Sequence, residues 1–162
     1  MNKTPESTFK IRFSDCDLFG HLNNARYLDY FLHAREEHLE HHYGLQLHSY
    51  YVKGISWVVG GHQIAYLKPV KYAEKVVIRT RLLKSSDNEL LVEMLMMDEP
   101  TQQLKSLLWT SFIPVDPNTG KRRAHDEEFM DFAKSIEWPL ERPIDFNDRI
   151  GEAIVELLHS KG

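Results

Sequence analysis

The chain has 162 residues, of which 42% are hydrophobic and 27% charged, and its net charge is −4 with 20 basic and 24 acidic side chains. This composition is typical of one globular domain and gives no support for nucleic acid as the main partner. The single cysteine, Cys16, excludes an intrachain disulfide. The sequence shows neither a signal peptide nor the ~18 to 20 apolar residues of a membrane span. We therefore expect a cytoplasmic protein without a membrane partner.

The first half of the chain predicts one strand and one long helix. Residues 8–13 alternate apolar and polar side chains, as a half-buried strand does. From residue 24 to residue 43 the spacing becomes helical, with Asn23 or Asn24 as N-cap and Gly44 as the stop. The helix is predicted to be largely buried through a broad apolar face made by Ala25, Leu28, Phe31, Leu32, Arg35 and Leu39.

The second half is rich in strands and ends in two shorter helices. Strands are predicted at 55–67, 75–84, 89–98 and 103–115, and helices near 126–135 and 147–159. Gly60 and Gly61 indicate a bulge in the first of these strands. One long helix against one antiparallel sheet predicts an α+β fold of two layers. Because one helix is a small cover for five strands, we expect a second subunit to cover part of the sheet.

Residues 14–27, which read SDCDLFGHLNNARY, connect the first strand to the helix. Their D-x-D-x-x-G pattern, followed by a long helix, resembles the hotdog-fold acyl-CoA thioesterases of the 4-hydroxybenzoyl-CoA thioesterase branch. The HLNN stretch is also similar to acyl-carrier-protein thioesterases and bacterial long-chain acyl-CoA thioesterases. The resemblance covers roughly residues 8–120. It implies a curved five-stranded antiparallel sheet wrapped around one helix, in a single domain over 1–162 with a helical extension at 124–162.

The resemblance also implies an activity, an assembly and a catalytic residue. The family's activity is hydrolysis of an acyl-CoA to free acid and coenzyme A, and its subunits form homodimers or dimers of dimers with the active sites at the interface. The catalytic carboxylate of the pattern corresponds to Asp17, which acts as a nucleophile or as a base that activates water. Capping of the loop, or a salt bridge to Arg12 or Arg26, is the structural alternative for Asp17. Asp15 is expected to hold the loop together by hydrogen bonds.

A thioester carbonyl also needs hydrogen-bond donors for the oxyanion that develops during attack. The first helical turn near Asn24 has backbone N–H groups without intrahelical partners. Close relatives often carry tyrosine or histidine at position 24, so this chain's asparagine leaves the backbone N–H as the predicted donor. His21 and Asn23 either orient water and the carboxylate or are simply polar loop residues.

Further residues are assigned to substrate binding. Gly20 permits a sharp turn and close approach of the substrate. Tyr27, the last residue of the same stretch, is also assigned to substrate binding. The basic run 121–123 (Lys121, Arg122 and Arg123), with Lys84 as a weaker candidate, either binds the phosphates of coenzyme A or is a solvated turn. Histidines 38, 41 and 42 have helical spacing but lack a metalloenzyme pattern, so we predict no metal. No cofactor is predicted beyond coenzyme A itself.

Two other functions use the same residues. An acyl-carrier-protein thioesterase shares the HLNN element, although a carrier protein would favour a broad basic surface. A non-catalytic acyl-CoA binding module on the same fold has no need for the Asp17 carboxylate.

Overall fold

The computed structural model describes residues 1–160 and shows a five-stranded antiparallel sheet with α-helices on both faces. The elements in chain order are β1 (Glu6–Lys10), α1 (Tyr27–Tyr43), α2 (Leu47–Val52), β2 (Ser56–Tyr66), β3 (Lys75–Ser85), β4 (Leu90–Asp98), β5 (Leu104–Val115), α3 (Glu127–Ile136) and α4 (Phe146–His159). The strand order is β1-β3-β4-β5-β2, so β1 and β2 form the two edges. The α+β class is confirmed. Positions 161 and 162 of the predicted extension lie outside the described residues.

The first half of the chain departs from the sequence prediction in two boundaries and one additional helix. Strand β1 ends at Lys10 rather than at 13, because the chain turns through a 3₁₀ segment at Phe13–Asp15. Helix α1 is regular only from Tyr27, after a 3₁₀ turn at Asn24–Arg26. Helix α2 was not predicted, because its six residues are too few to show a helical period. The predicted stop at Gly44 is confirmed by its left-handed backbone, with φ of +64°.

Both faces of the sheet are buried, and alternate residues of each strand serve alternate faces. Val76, Ile78 and Met94 pack with α1 and α3, while Leu95 and Met97 pack with α4. Burial on both sides explains why β4, whose sequence is LLVEMLMMD, is apolar almost throughout instead of alternating with polar residues.

The buried face of α1 differs from the predicted apolar stripe. It consists of Tyr27, Tyr30, Phe31, Ala34, Arg35 and His38, whereas Ala25 is exposed and Leu28, Leu32 and Leu39 are half-buried. Its two polar members are held by β3, because Arg35 donates to the Thr80 hydroxyl at 2.9 Å and His38 Nδ1 lies 2.7 Å from the same oxygen. His38 Nε2 lies 2.9 Å from Ser7 Oγ. Hydrogen bonding inside the fold thus lets polar side chains occupy core positions.

A buried ion pair attaches α4 to β4. Arg149 and Glu93, each with a side chain only 1% exposed, form two hydrogen bonds of 2.7 and 2.8 Å. The Trp109 indole and Arg81 also donate to the Glu93 carboxylate, and Arg149 donates to Glu156 as well. Burial raises the pKa of Glu93, but the hydrogen bonds and charge of Arg149 outweigh it and hold that pKa below its usual range.

Strand β2 is a long edge with little charge. The pairing register with β5 shifts between Val59 and Gly61, which confirms the predicted bulge. A Cβ atom on Gly60 would lie 2.8 Å from the Ile113 side chain, so any other residue there would force that side chain of β5 to move. The middle of β2 is exposed, and its sequence SWVVGGHQIAY contains no lysine, arginine, aspartate or glutamate. Such an edge presents unpaired backbone groups to another strand.

Candidate active site

The loop between β1 and α1 holds Asp17 in a tight turn. The Asp17 N–H donates to the His21 carbonyl at 2.8 Å, and the Gly20 N–H donates to the Asp17 carbonyl at 3.1 Å. Gly20 has φ of +73°, a conformation that side chains disfavour. Asp17 Oδ1 accepts the N–H groups of Phe19 at 2.9 Å and His21 at 3.2 Å. The turn's own amides therefore orient the carboxylate.

The second oxygen of that carboxylate is free. Within residues 1–160, Asp17 Oδ2 accepts no hydrogen bond and forms no salt bridge, and the residue is exposed. Arg26, one of the expected partners, lies 3.4 Å from Asp29 instead. Asp17 thus combines a turn-capping oxygen with an accessible one that is able to attack a carbonyl or accept a proton.

The entry to α1 supplies a backbone donor. Asn23 Oδ1 accepts the Ala25 N–H at 3.0 Å, which confirms Asn23 as a cap. The Asn24 carbonyl accepts the Tyr66 hydroxyl at 2.9 Å, but over the described residues the Asn24 N–H has no protein acceptor. This N–H is available to a carbonyl oxygen of a substrate. The Asn23 side chain, in contrast, is already used for capping.

Asp15 plays the structural role predicted for it. The Tyr30 hydroxyl donates to Asp15 Oδ2 at 2.5 Å and accepts the Arg12 N–H at 3.2 Å. Burial and the hydrogen bond to Asp15 raise the pKa of Tyr30. Asp15 also lines an open cleft of about 830 Å³ beside β1. This residue therefore borders a cleft although its carboxylate is hydrogen-bonded to Tyr30 of α1.

The structure buries Tyr27 in the core next to the site and reveals an apolar surface beside Asp17. Tyr27 is only 2% exposed and packs edge-on against Tyr66, with ring centroids 4.9 Å apart. The sequence predicted that Tyr27 contacts the substrate, but its side chain lies in the core of the chain. Leu18 and Phe19, which follow Asp17 directly, are almost fully exposed. The sequence analysis did not assign this surface, although two adjacent apolar residues within a polar motif indicate it.

The basic residues lie far from Asp17 within one chain. Lys84 is at the end of β3, and Arg122 bridges to Val115 at the end of β5. That end of the sheet also holds Ser56, whereas Tyr66 and Asn24 are at the other end of β2, roughly 33 Å away for 11 residues. Lys121 and Arg122 are exposed. Arg123 donates to the Gly54 carbonyl and so helps to hold the turn before β2.

The other histidines and the single cysteine have different environments. His38 is fully buried, with both ring nitrogens close to hydroxyl groups, and residues 1–160 contain no group of three or more potential ligands placed to hold a metal. Burial and the neighbouring aspartates raise the pKa of Cys16, which disfavours its thiolate. His21 is half-buried and pairs through its backbone with Lys71.

None of the helices in the described range combines the length and apolar character needed to span a bilayer.

The fold is that of a hotdog domain, and the Asp17 carboxylate lies in the loop just before its long helix α1. Residues 11–154 match the model of the thioesterase-like superfamily, and the chain belongs to this family. The long-chain acyl-CoA thioesterase FadM of Escherichia coli K12 is 25% identical over 126 residues, which cover 78% of this chain and 94% of FadM.

Solved structures show the same fold. The DHNA-CoA thioesterase of Staphylococcus aureus superposes with a TM-score of 0.74 at 22% identity, covering 82% of this chain and 87% of that one. The S. aureus protein SAV2348, solved in complex with CoA, gives 0.72 at 15% identity, with 85% and 88% covered. The hotdog fold predicted from the sequence is thereby confirmed.

Proposed function

We propose that the protein is an acyl-CoA thioesterase that hydrolyses its substrate to a free acid and coenzyme A. The observation that carries this proposal is the pairing, in one loop, of a free Asp17 oxygen with an unpartnered N–H at Asn24. A thioesterase needs these two groups, whereas a binding module has no use for an exposed carboxylate beside a carbonyl donor. Membership of the thioesterase-like superfamily and the similarity to FadM support acyl-CoA as the substrate class.

In the proposed reaction, the Asn24 N–H donates to the thioester carbonyl oxygen as negative charge develops on it. One such donor typically contributes ~10²- to 10³-fold in rate. Asp17 Oδ2 either attacks the carbonyl carbon, giving a mixed anhydride and releasing the coenzyme A thiolate, or removes a proton from an attacking water. In the first route water then hydrolyses the anhydride. In both routes the Phe19 and His21 amides hold Oδ1 and aim Oδ2.

We further infer that the active unit is a homodimer joined along β2. Helices α1 and α4 already cover the two faces of the sheet, so the exposed β2 edge is the surface left for pairing. A two-fold axis makes the two β2 strands antiparallel, which places the Ser56 end of one copy beside the Tyr66 end of the other. Lys121 and Arg122 of the second copy then approach Asn24 of the first. The basic run therefore serves the site of the other copy, although it lies roughly 33 Å from Asn24 of its own chain.

The activity is tested by measuring thiol release from a panel of acyl-CoAs that spans short, long and aromatic acyl groups, with acyl-carrier-protein thioesters in parallel. We expect hydrolysis of at least one acyl-CoA, and incorporation of labelled oxygen into Asp17 in a single turnover if the attack is direct. Binding of acyl-CoA without hydrolysis of any of the thioesters would overturn the enzyme proposal in favour of a binding module.

The shared site is tested by mixing two variants that are each defective for a different reason. One carries Asp17→Asn, and the other carries Lys121→Gln with Arg122→Gln. Random mixing makes half of the dimers mixed, and each mixed dimer contains one intact site, so about a quarter of the wild-type site number should return with wild-type KM. If the mixture only shows the sum of the two parents, the basic residues do not serve the other copy's Asp17.

A further inference from the structure

A second cavity lies away from the Asp17 loop, between α1, α3 and the Ser56 end of the sheet. Its volume is about 250 Å³. Its wall is almost entirely apolar and includes Leu39, Leu90, Phe112, Phe129, Phe132 and Ile136. A small apolar pocket with a few polar groups on its wall is the usual form of a site for an organic ligand.

The main polar group of this wall is Arg35, which is 6% exposed. One Nη donates to Thr80 Oγ1 at 2.9 Å, and the guanidinium lies 5.9 Å from the Tyr43 ring centre. Among residues 1–160 no carboxylate comes within 4 Å of it, and the bond to Thr80 is the one hydrogen bond that its nitrogens make within 3.5 Å. The nearby Tyr43 is its other polar neighbour and is uncharged near neutral pH. Glu36, the next residue, is exposed at the edge of the cavity and does not pair with Arg35.

A second buried arginine, Arg149, has the carboxylate partners that Arg35 lacks within the described residues. Arg149 is surrounded by the carboxylates of Glu93 and Glu156, as a buried cation requires. Arg35 is also buried, at 6% exposed, but over the described part of the chain it has no carboxylate beside it. Desolvation lowers its pKa, with a smaller opposing effect from Tyr43. A negatively charged group that entered the cavity would find free N–H donors and a charge to neutralise.

We propose that this cavity binds an apolar chain that carries a carboxylate, with the carboxylate paired to Arg35. The chain packs along the leucine and phenylalanine side chains, and the carboxylate accepts from the guanidinium nitrogens that Thr80 leaves free. A cavity of ~150 Å³ holds benzene, so about 250 Å³ corresponds to roughly ten carbons.

Such a carboxylate has two possible sources. One is a free medium-chain acid, which binds without reference to catalysis. The other is the acyl group of a substrate that bears a second carboxylate at its far end, and this source rests on the proposed function. In the β2-paired dimer the Ser56 end of one copy lies beside the Asp17 loop of the other, so an acyl chain held there is able to enter the cavity.

The first experiment is calorimetric titration of the wild-type protein with decanoic acid and with decanol. We expect one acid per chain, a weaker alcohol, and at least a tenfold loss of acid affinity in Arg35→Met, which keeps the length and apolar stem of the side chain. Decanol affinity should be unchanged in that variant. Arg142→Met, which removes a charge on the other side of the sheet, is the matched control and should bind the acid normally. Equal affinity of the wild type for acid and alcohol, or unchanged acid binding by Arg35→Met, would overturn the proposal.

A second variant makes the test independent of the stability of Arg35→Met. Ala133 lies on α3 in the cavity wall and is 1% exposed. Ala133→Leu should fill the space, leave Arg35 in place, and lower the affinity for decanoic acid at least tenfold. An unchanged affinity in Ala133→Leu places the acid elsewhere and contradicts the proposal.

Kinetics then separate the two sources. If the carboxylate belongs to the substrate, Arg35→Met should raise KM for decanedioyl-CoA at least tenfold and leave decanoyl-CoA unaffected. If both KM values stay unchanged while acid binding is lost, the occupant is the free acid. A protein that hydrolyses no thioester fails the proposed function but leaves the titration with decanoic acid fully interpretable.

Discussion

Two carboxylates of this protein, Asp17 and Glu93, have opposite environments. Asp17 is exposed in a loop, with one oxygen held by two backbone amides and the other free. Glu93 is buried on the sheet, with both oxygens occupied by Arg149 and further donors from Trp109 and Arg81. A carboxylate that is oriented but not fully satisfied retains the ability to react, whereas one that is fully satisfied contributes to stability instead.

The largest effect is expected at Asp17. Asp17→Asn keeps the size of the side chain and an oxygen that accepts the Phe19 and His21 amides, so the melting temperature should change little. It removes the free anionic oxygen, so kcat for acyl-CoA hydrolysis should fall by ~10²- to 10⁴-fold. Steady-state kinetics and thermal melting check both parts. A kcat near that of the wild type would remove Asp17 from the mechanism.

The reverse pattern is expected at Glu93. Glu93→Gln replaces the buried carboxylate beside Arg149 by a neutral amide and leaves Glu156 as its close counterion. We expect a cost of ~2 to 3 kcal/mol of unfolding free energy. Hydrolysis per folded molecule should stay at the wild-type level. Urea denaturation measures the loss, and Glu152→Gln, whose carboxylate lies 3.7 Å from the same arginine at the surface, is the control with a small expected effect. Equal effects of the two substitutions would contradict a structural role specific to Glu93.

His38 is a buried base whose two ring nitrogens both lie at hydrogen-bonding distance from hydroxyl groups, so its environment resembles that of Glu93 and not that of Asp17. Desolvation, together with the charge of Arg35, lowers the pKa of His38 from 6.5 to about 4. The unfolded chain takes up a proton at His38 as the pH falls below 6.5, while the folded chain does not until about 4. Stability is therefore complete above pH 6.5 and is lost as the pH falls towards 4, by about 3 kcal/mol at ~1.4 kcal/mol per pH unit.

Urea denaturation at several pH values between 7 and 4 measures this loss. His38→Gln should lower stability near neutral pH and remove the part of the pH dependence that comes from His38. His33→Gln, at an exposed position of the same helix, should leave the slope as it is in the wild type. A slope that survives His38→Gln would assign the pH dependence to other groups.

Asp15 should behave as an intermediate case. Asp15→Asn weakens the hydrogen bond from Tyr30, so we expect ~1 kcal/mol of lost stability with kcat close to the wild type. Melting temperature and kcat are measured together with those of Asp17→Asn. If Asp15→Asn is folded but inactive while Asp17→Asn is active, the carboxylate facing the cleft beside β1 is the catalytic one.

The smallest effect is expected at the basic run. Lys121→Gln with Arg122→Gln should raise KM for acyl-CoA more than about twofold without changing kcat, because these charges hold a remote part of the substrate. Arg123 is left in place, since it supports the turn at Gly54. The change in KM should shrink at high salt. A KM within about twofold of the wild type at low salt would make the run a solvated turn.

Much of the fold followed from local pattern. The glycines predicted the helix stop at Gly44 and the bulge near Gly60, because positive φ angles and close strand approach are local demands for glycine. The strands β3, β4 and β5 lie within one or two residues of their predicted bounds. The buried face of α1 could not be read correctly, because Arg35 and His38 each form a hydrogen bond with Thr80, some 40 residues away.

By itself the sequence determined the order of the elements, the turn at Gly20 and the presence of Asp17 before the long helix, since each depends on residues close together in the chain. Only the tertiary structure decided which oxygen of Asp17 is free, that Tyr27 is buried, and that the basic run lies at the far end of the sheet from Asn24. It also gave Arg149 a carboxylate partner 56 residues away, whereas Arg35 has no carboxylate partner among residues 1–160. Such pairings depend on how elements pack in space, and no periodicity within an element encodes them.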